Sequence, residues 1–189
     1  FSETKCIAHR GNNAKYLENS MASIRSAVEI DSDGVEFDVL HTKDGVPIVF
    51  HDKKLKRLVK NKPGKKCPSK AKIKNLLYMD IIENCRLVNG EDIPTLETVL
   101  EYLSNKDLLK VIEFKDRPNF VSLSLIKEYL VDPSLIRIIS FKKKSLEIVT
   151  RYGESDPYYS EVPLFYLYRF FYFPKQNFHY NIHFTIKGL

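Results

Sequence analysis

Short apolar runs alternate with stretches of helical periodicity along most of this chain, and that alternation restricts the fold more than any other feature. CIAHR at 6–10 reads as a strand, and 18–30 reads as a helix entered through Asn19 or Ser20, with Ile24, Ala27 and Val28 at helical spacing. GVEFDVL at 34–40 and VPIVFHD at 46–52 read as strands joined across HTKDG, where Asp44-Gly45 is a strong turn signal. Helices follow at 93–103, 120–131 and 143–153, and strands at 108–115, 135–141 and 162–168. Strands separated by helical segments predict parallel βα units, arranged as a doubly wound sheet or as a (β/α) barrel. The aromatic segment FHYNIHFTI at 178–186 is expected to add a strand, for about seven in all against the eight of a closed barrel.

The lysine-dense stretch that begins after His51-Asp52 has little periodicity and reads as an exposed loop or small insertion, over about 53–92. At 189 residues, with 43% apolar and 29% charged side chains, the chain is most simply one domain with a real core. Its formal charge of +6 favours phosphate esters, anionic lipid surfaces or nucleic acid as partners, or is simply a solvated basic face. Nucleic acid is the weakest of these, because the lysine-rich stretch lacks interleaved aromatics for base stacking. The three cysteines, Cys6, Cys67 and Cys85, have no metal-finger spacing, and one is left over in any disulfide scheme. They leave the compartment open, cytoplasmic or periplasmic and secreted, with free thiols pointing inward. A start without Met is expected of a mature or trimmed form. No apolar run is long enough to cross a membrane as a helix.

The chemistry-bearing residues collect at the ends of the strand-like runs. Glu36 and Asp38 lie two apart in a strand and project from the same face. Two acids on the inner face of an apolar strand are costly without a cation, and a hard divalent ion prefers such oxygen ligands. An amphipathic strand facing solvent is the plain alternative. Glu113 and Lys115 repeat the arrangement on VIEFK, as a third metal ligand and a phosphate partner or as an ordinary Glu-Lys surface. His9-Arg10 and His51-Asp52 each end an apolar run, where barrel folds collect their active groups. Glu18 can orient Arg10 or His9, or begin a helix; Asn19 and Ser140 are weaker candidates.

AHRG, ENS, VEFDV, TKDG, the HD that follows, IPTLETVL, VIEFK and ISF occur in this order and spacing, and over Cys6 to about Leu146 the chain resembles the glycerophosphodiester phosphodiesterases. The resemblance implies an α/β (β/α)8 TIM-type barrel spanning 1–189, shortened or atypical over a tail of about 152–189. It implies hydrolysis of glycerophosphodiesters to glycerol 3-phosphate and an alcohol, in lipid or glycerol metabolism, with Ca2+ or Mg2+. In that pattern His9 and His51 are the acid/base pair, and Arg10 and Lys115 contact phosphate. Glu36, Asp38 and Glu113 hold the metal, supported by Glu18 and Asn19. The substrate is then a small or lipid-derived phosphodiester, with the aromatic, basic tail expected to cover the gap in the shortened barrel, mediate oligomerisation or touch lipid. Other readings are a lysophospholipid or phosphoinositide phosphodiesterase, and a non-catalytic or truncated barrel homologue that binds phosphate or lipid headgroups.

Overall fold

The computed structural model describes residues 5–167. In chain order these form β1 (Ile7–His9), α1 (Met21–Glu29), β2 (Gly34–His41), β3 (Pro47–Val49), β4 (Val59–Asn61), α2 (Tyr78–Asn84), β5 (Cys85–Leu87) and α3 (Leu96–Leu103). They continue with β6 (Leu109–Phe114), α4 (Phe120–Tyr129), β7 (Ile136–Ser140), α5 (Lys143–Ser155), α6 (Pro157–Glu161) and β8 (Leu164–Tyr166). The main sheet runs β1-β2-β6-β7-β8 with every one of those pairings parallel. The strand expected at 178–186 lies outside the described residues, as does most of the tail.

Alternation along the strands decides which face each residue serves. Val35, Phe37 and Val39 of β2, with Ile112 and Phe114 of β6, pack with Ile24, Leu100, Leu123 and Val149 of the helices. Each such large side chain, fully buried, contributes about 1.5–3 kcal/mol. The opposite face holds a smaller apolar cluster of Ile7, Leu109, Val111 and Ile139. The acids at the alternate positions of β2 and β6 therefore share the inner face with a few aliphatic side chains. Gly34 makes this strand packing feasible, since a Cβ there would lie 2.8 Å from the Leu109 carbonyl oxygen and 2.7 Å from Ile7 Cδ1.

Three features differ from the sequence reading. First, β3 pairs antiparallel with the end of β2, Val39 opposite Val49, as the Asp44-Gly45 turn signals, so it is a return arm and not one of the strands to be counted towards the barrel. His51, which follows this return arm, consequently does not sit at the carboxyl end of a parallel barrel strand. Second, residues 53–92 are not a plain exposed loop. They carry a two-stranded sheet of β4 and β5 and a second apolar core that includes Leu55, Leu58, Ile73, Ile81 and Leu87. Third, Cys67 and Cys85 form a disulfide inside that core, and only Cys6 is free among the described residues. The expectation of free thiols is corrected accordingly for two of the three. No helix among the described residues is long and apolar enough to cross a membrane.

Candidate active site

Parallel register brings the polar residues together. His9 of β1 lies beside Glu36 of β2, and Asp38 of β2 lies beside Glu113 of β6. Glu36, Asp38 and Glu113 are buried, and a carboxylate oxygen of each lies within 4.8 Å of the others. Glu36 Oε1 and Asp38 Oδ1 are buried without a hydrogen-bond partner. Burial first, and then the charges of Asp38 and Glu113, raise the Glu36 carboxyl well above its ordinary range, even though it accepts a backbone bond from Arg10. Burial likewise raises Glu113, against a hydrogen bond from Lys115. Orphaned carboxylate oxygens in a tight, buried set of hard ligands fit a divalent cation, which would satisfy all three acids at once.

The segment after β1 is shaped for this cluster. Arg10 and Gly11 both have positive φ, 57° and 75°, an uncommon conformation for a residue with a side chain. The turn aims the Arg10 N–H at Glu36 Oε2, 2.8 Å away. Its guanidinium meets Asp38 Oδ2 at 3.2 Å and donates to Glu18 Oε1 at 3.0 Å. Gly11 is required twice over, because a Cβ would lie 2.5 Å from the Ser23 backbone. Asn19, also at positive φ, is buried and grips Asp38 from both ends: its amide donates to Oδ2 at 2.8 Å, and its side-chain oxygen accepts from the Asp38 N–H at 3.2 Å. Lys115 donates to Glu113 Oε1 at 2.7 Å and stands 3.5 Å from Asp38 Oδ1.

The two histidines reach the cluster by different routes. His9 Nε2 is 3.8 Å from Glu36 Oε2. Burial, and then the Arg10 charge, lower its pKa and favour the neutral ring. His51 arrives through the hairpin, where the Phe50 N–H donates to the Asp38 carbonyl at 2.9 Å. Its Nδ1 is 2.7 Å from Asp52 Oδ1, which leaves Nε2 as its free nitrogen.

Sequence reasoning missed Arg57. It donates through Nε to Asp52 at 2.7 Å and through both terminal nitrogens to Glu18 at 2.7 and 2.9 Å. The Arg57 hydrogen bond holds the Asp52 carboxyl down at about 2. Burial alone would raise Glu18, but the bonds and charges of Arg57 and Arg10 outweigh it and lower its pKa. A continuous chain of contacts thus runs from His51 through Asp52, Arg57, Glu18 and Arg10 to Asp38. The one available signal was that Arg57 is the only arginine in the lysine-dense stretch 53–74. Ser140 has a different place: its hydroxyl donates to the Phe114 carbonyl and accepts from the Lys142 N–H, pinning backbone to backbone.

The glycerophosphoryl diester phosphodiesterase family model matches residues 9–159, a span that contains every group described above. The chain belongs to this family. A glycerophosphodiester phosphodiesterase from Caldanaerobacter subterraneus subsp. tengcongensis is 38% identical over 113 residues, covering 60% of this chain and 46% of that protein. The crystal structure of a glycerophosphodiester phosphodiesterase from Thermotoga maritima, 31% identical, superposes with a TM-score of 0.62 over 78% of this chain and 58% of the other. One from Agrobacterium tumefaciens, at 22% identity, shares the fold with a TM-score of 0.69, covering 81% of this chain and 64% of that chain. The chain therefore spans about half the length of the curated relatives it matches. Its fold is the family's TIM-type barrel, and the parallel strands from β1 to β8 are the part of it among residues 5–167.

Proposed function

We propose that this chain hydrolyses glycerophosphodiesters to glycerol 3-phosphate and an alcohol, with a divalent cation held by Glu36, Asp38 and Glu113. The observation that carries this reading is the juxtaposition of three buried acids, two of them with an unpartnered oxygen, with His9, Arg10 and Lys115 around them and His51 near enough for its charge to act on His9. The named activity of the relatives supports it as well.

A cation bound there supplies charge neutralisation for the non-bridging phosphate oxygens and the developing charge of the reaction. Ca2+ and Mg2+ both suit a set of carboxylate oxygens. Arg10 and Lys115, each already anchored on the acids, add positive charge along the same phosphate. His9, kept neutral by burial beside Arg10, suits the acceptor of the nucleophile's proton. His51, its Nδ1 bound to Asp52, suits the donor to the leaving oxygen through Nε2. The Asp52–Arg57–Glu18 chain orients that donor relative to Arg10 and the acids.

Leaving-group chemistry tests these roles. His9→Ala and His51→Ala should each lower glycerol 3-phosphate release from glycerophosphocholine by at least about 100-fold. With a p-nitrophenyl diester, whose leaving oxygen needs no proton, His51→Ala should recover most of its rate and His9→Ala should not. Equal recovery by both variants would contradict the assignment, and near-normal rates on glycerophosphocholine would make the histidines structural.

A further inference from the structure

A basic groove of about 550 Å³ opens beside the acid cluster, within the size range of small-molecule sites. Its cations come from three separate parts of the chain: Lys53, Lys72 and Lys74 of the insertion, Lys115 and Arg117 after β6, and Lys142 with the two lysines that follow at the start of α5. Among the described residues that line it, Asp116 is the lone acid. Both Asp116 oxygens are already engaged by His41, through the backbone N–H at 3.0 Å and Nδ1 at 2.6 Å. The cations of this one concavity are enough to account for the whole formal charge of +6.

Such convergence is unfavourable without an anion. Burial lowers the pKa of Lys142, and Lys53, Lys115 and Arg117 lower it further against the pull of Asp116. The start of α5 repeats the point. Ser20, Thr95, Asn119 and Asp156 cap α1, α3, α4 and α6 with their side chains. Like α2, the 13-residue α5 has no side-chain cap, and the lysines at its start oppose the helix dipole.

We propose that this groove is a subsite for further phosphate groups on the alcohol arm of the substrate, so that the preferred diester carries a phosphorylated headgroup. The inference rests on the diesterase reading above and names the substrate class of that site. Lys115 joins the two: it touches Glu113 and Asp38 and also forms part of the groove wall. Lys53 follows directly on His51-Asp52 from the other side. A diester with its scissile phosphate at the acids therefore extends its headgroup into the cations. The site is concave, which suits a compact multivalent anion better than a membrane plane. Leu40, Ile73 and Ser145 lie between the charges, and the exposed Phe141 ring lies against Lys115 at the edge of the groove.

The test compares the whole chain with a Lys72→Ala/Arg117→Ala/Lys143→Ala variant, each checked for folding by circular dichroism. Two readouts are taken: calorimetric binding of inositol 1,4,5-trisphosphate, and the ratio of kcat/KM for glycerophosphoinositol 4,5-bisphosphate over glycerophosphocholine. The wild-type chain should bind the trisphosphate, more weakly as salt rises, and favour the phosphorylated diester. The triple variant should weaken binding by about tenfold or more and bring the ratio towards one. Parallel assays on the soluble diester and on phosphatidylcholine vesicles doped with lysophosphatidylinositol 4,5-bisphosphate tell a free headgroup from a membrane-borne one, and preference in either arm supports the subsite. Turnover of both diesters with a ratio near one in the wild type, or a triple variant with unchanged ratio and binding, would overturn the inference while leaving the diesterase reading intact. Strong trisphosphate binding lost in the variant, with no diester hydrolysed, would instead overturn the substrate assignment and leave the groove as an anion site.

Discussion

Replacing Glu36 by glutamine should make the metal-free protein more stable and the metal-bound protein less so. The three acids have ligand oxygens within 4.8 Å of one another, and at an effective dielectric of about 20 each like-charge pair costs roughly 3 kcal/mol at that distance. Arg10 beside Asp38 and Lys115 beside Glu113 offset much of this, leaving a net burden on Glu36 of about 2 kcal/mol. Glutamine keeps the oxygen that accepts from the Arg10 N–H and puts an NH2 donor where Oε1 has no partner. The sign depends on pH. Because the folded carboxyl titrates well above its unfolded value of 4.5, wild-type stability is fully present below that value and declines as pH rises through the folded pKa. The advantage of the variant therefore grows with pH and is read best at about pH 8. In EDTA the Tm of Glu36→Gln should exceed that of the wild type by about 4–8 °C, at about 2–4 °C per kcal/mol for a chain of this size. Saturating Ca2+ or Mg2+ should raise the wild-type Tm and leave the variant nearly unmoved. A lower Tm for the variant in EDTA would refute the repulsion argument, and an undiminished metal response would remove Glu36 from the ligand set.

Four further outcomes follow from the same geometry. Metal affinity should fall as pH falls, since protons held by the raised Glu36 and Glu113 carboxyls compete with the cation, and calorimetry in buffers of different ionisation enthalpy should register proton release; a pH-independent affinity would contradict this. Arg57→Ala should lower kcat/KM by about tenfold or more, with partial rescue by Arg57→Lys, because Asp52 and Glu18 lose their shared partner. Gly34→Ala should cost about 1–3 kcal/mol in denaturant unfolding, as its Cβ meets the Leu109 backbone at 2.8 Å; an unchanged midpoint would show that β2 and β6 separate freely. Replacing Cys67 and Cys85 by serine should destabilise by about 3 kcal/mol and expose residues 53–92 to protease, and resistance equal to the wild type would count against the disulfide's structural role.

The inner-face acids were legible because a strand has a period of two. In GVEFDVL the valines and phenylalanine alternate with Glu36 and Asp38, so one pattern specifies both the helix-facing core and the polar face. The local support of the site was partly legible too: Glu18 does meet Arg10, and Asn19 does hold Asp38. What escaped is tertiary. The Asp44-Gly45 turn signalled the antiparallel return of β3, but a count of strands towards a barrel does not show that this arm stands outside the parallel series. In residues 53–92 the apolar positions Leu55, Leu58, Ile73 and Ile81 are widely spaced among lysines, and they form a core only once the chain has doubled back and Cys67 has met Cys85. Arg57 is an ordinary basic residue until Glu18, 39 positions earlier, lies against it. The basic groove is hidden for the same reason, because its lysines are scattered in the sequence and converge only in the fold.

The most direct measurement is release of glycerol 3-phosphate from glycerophosphodiesters by the purified, folded chain, assayed with Ca2+, with Mg2+ and with EDTA. The account predicts turnover with a divalent cation, abolished by EDTA and restored by adding the ion back. Turnover undiminished in EDTA, or none with either ion on choline and phosphorylated headgroups alike, would contradict it.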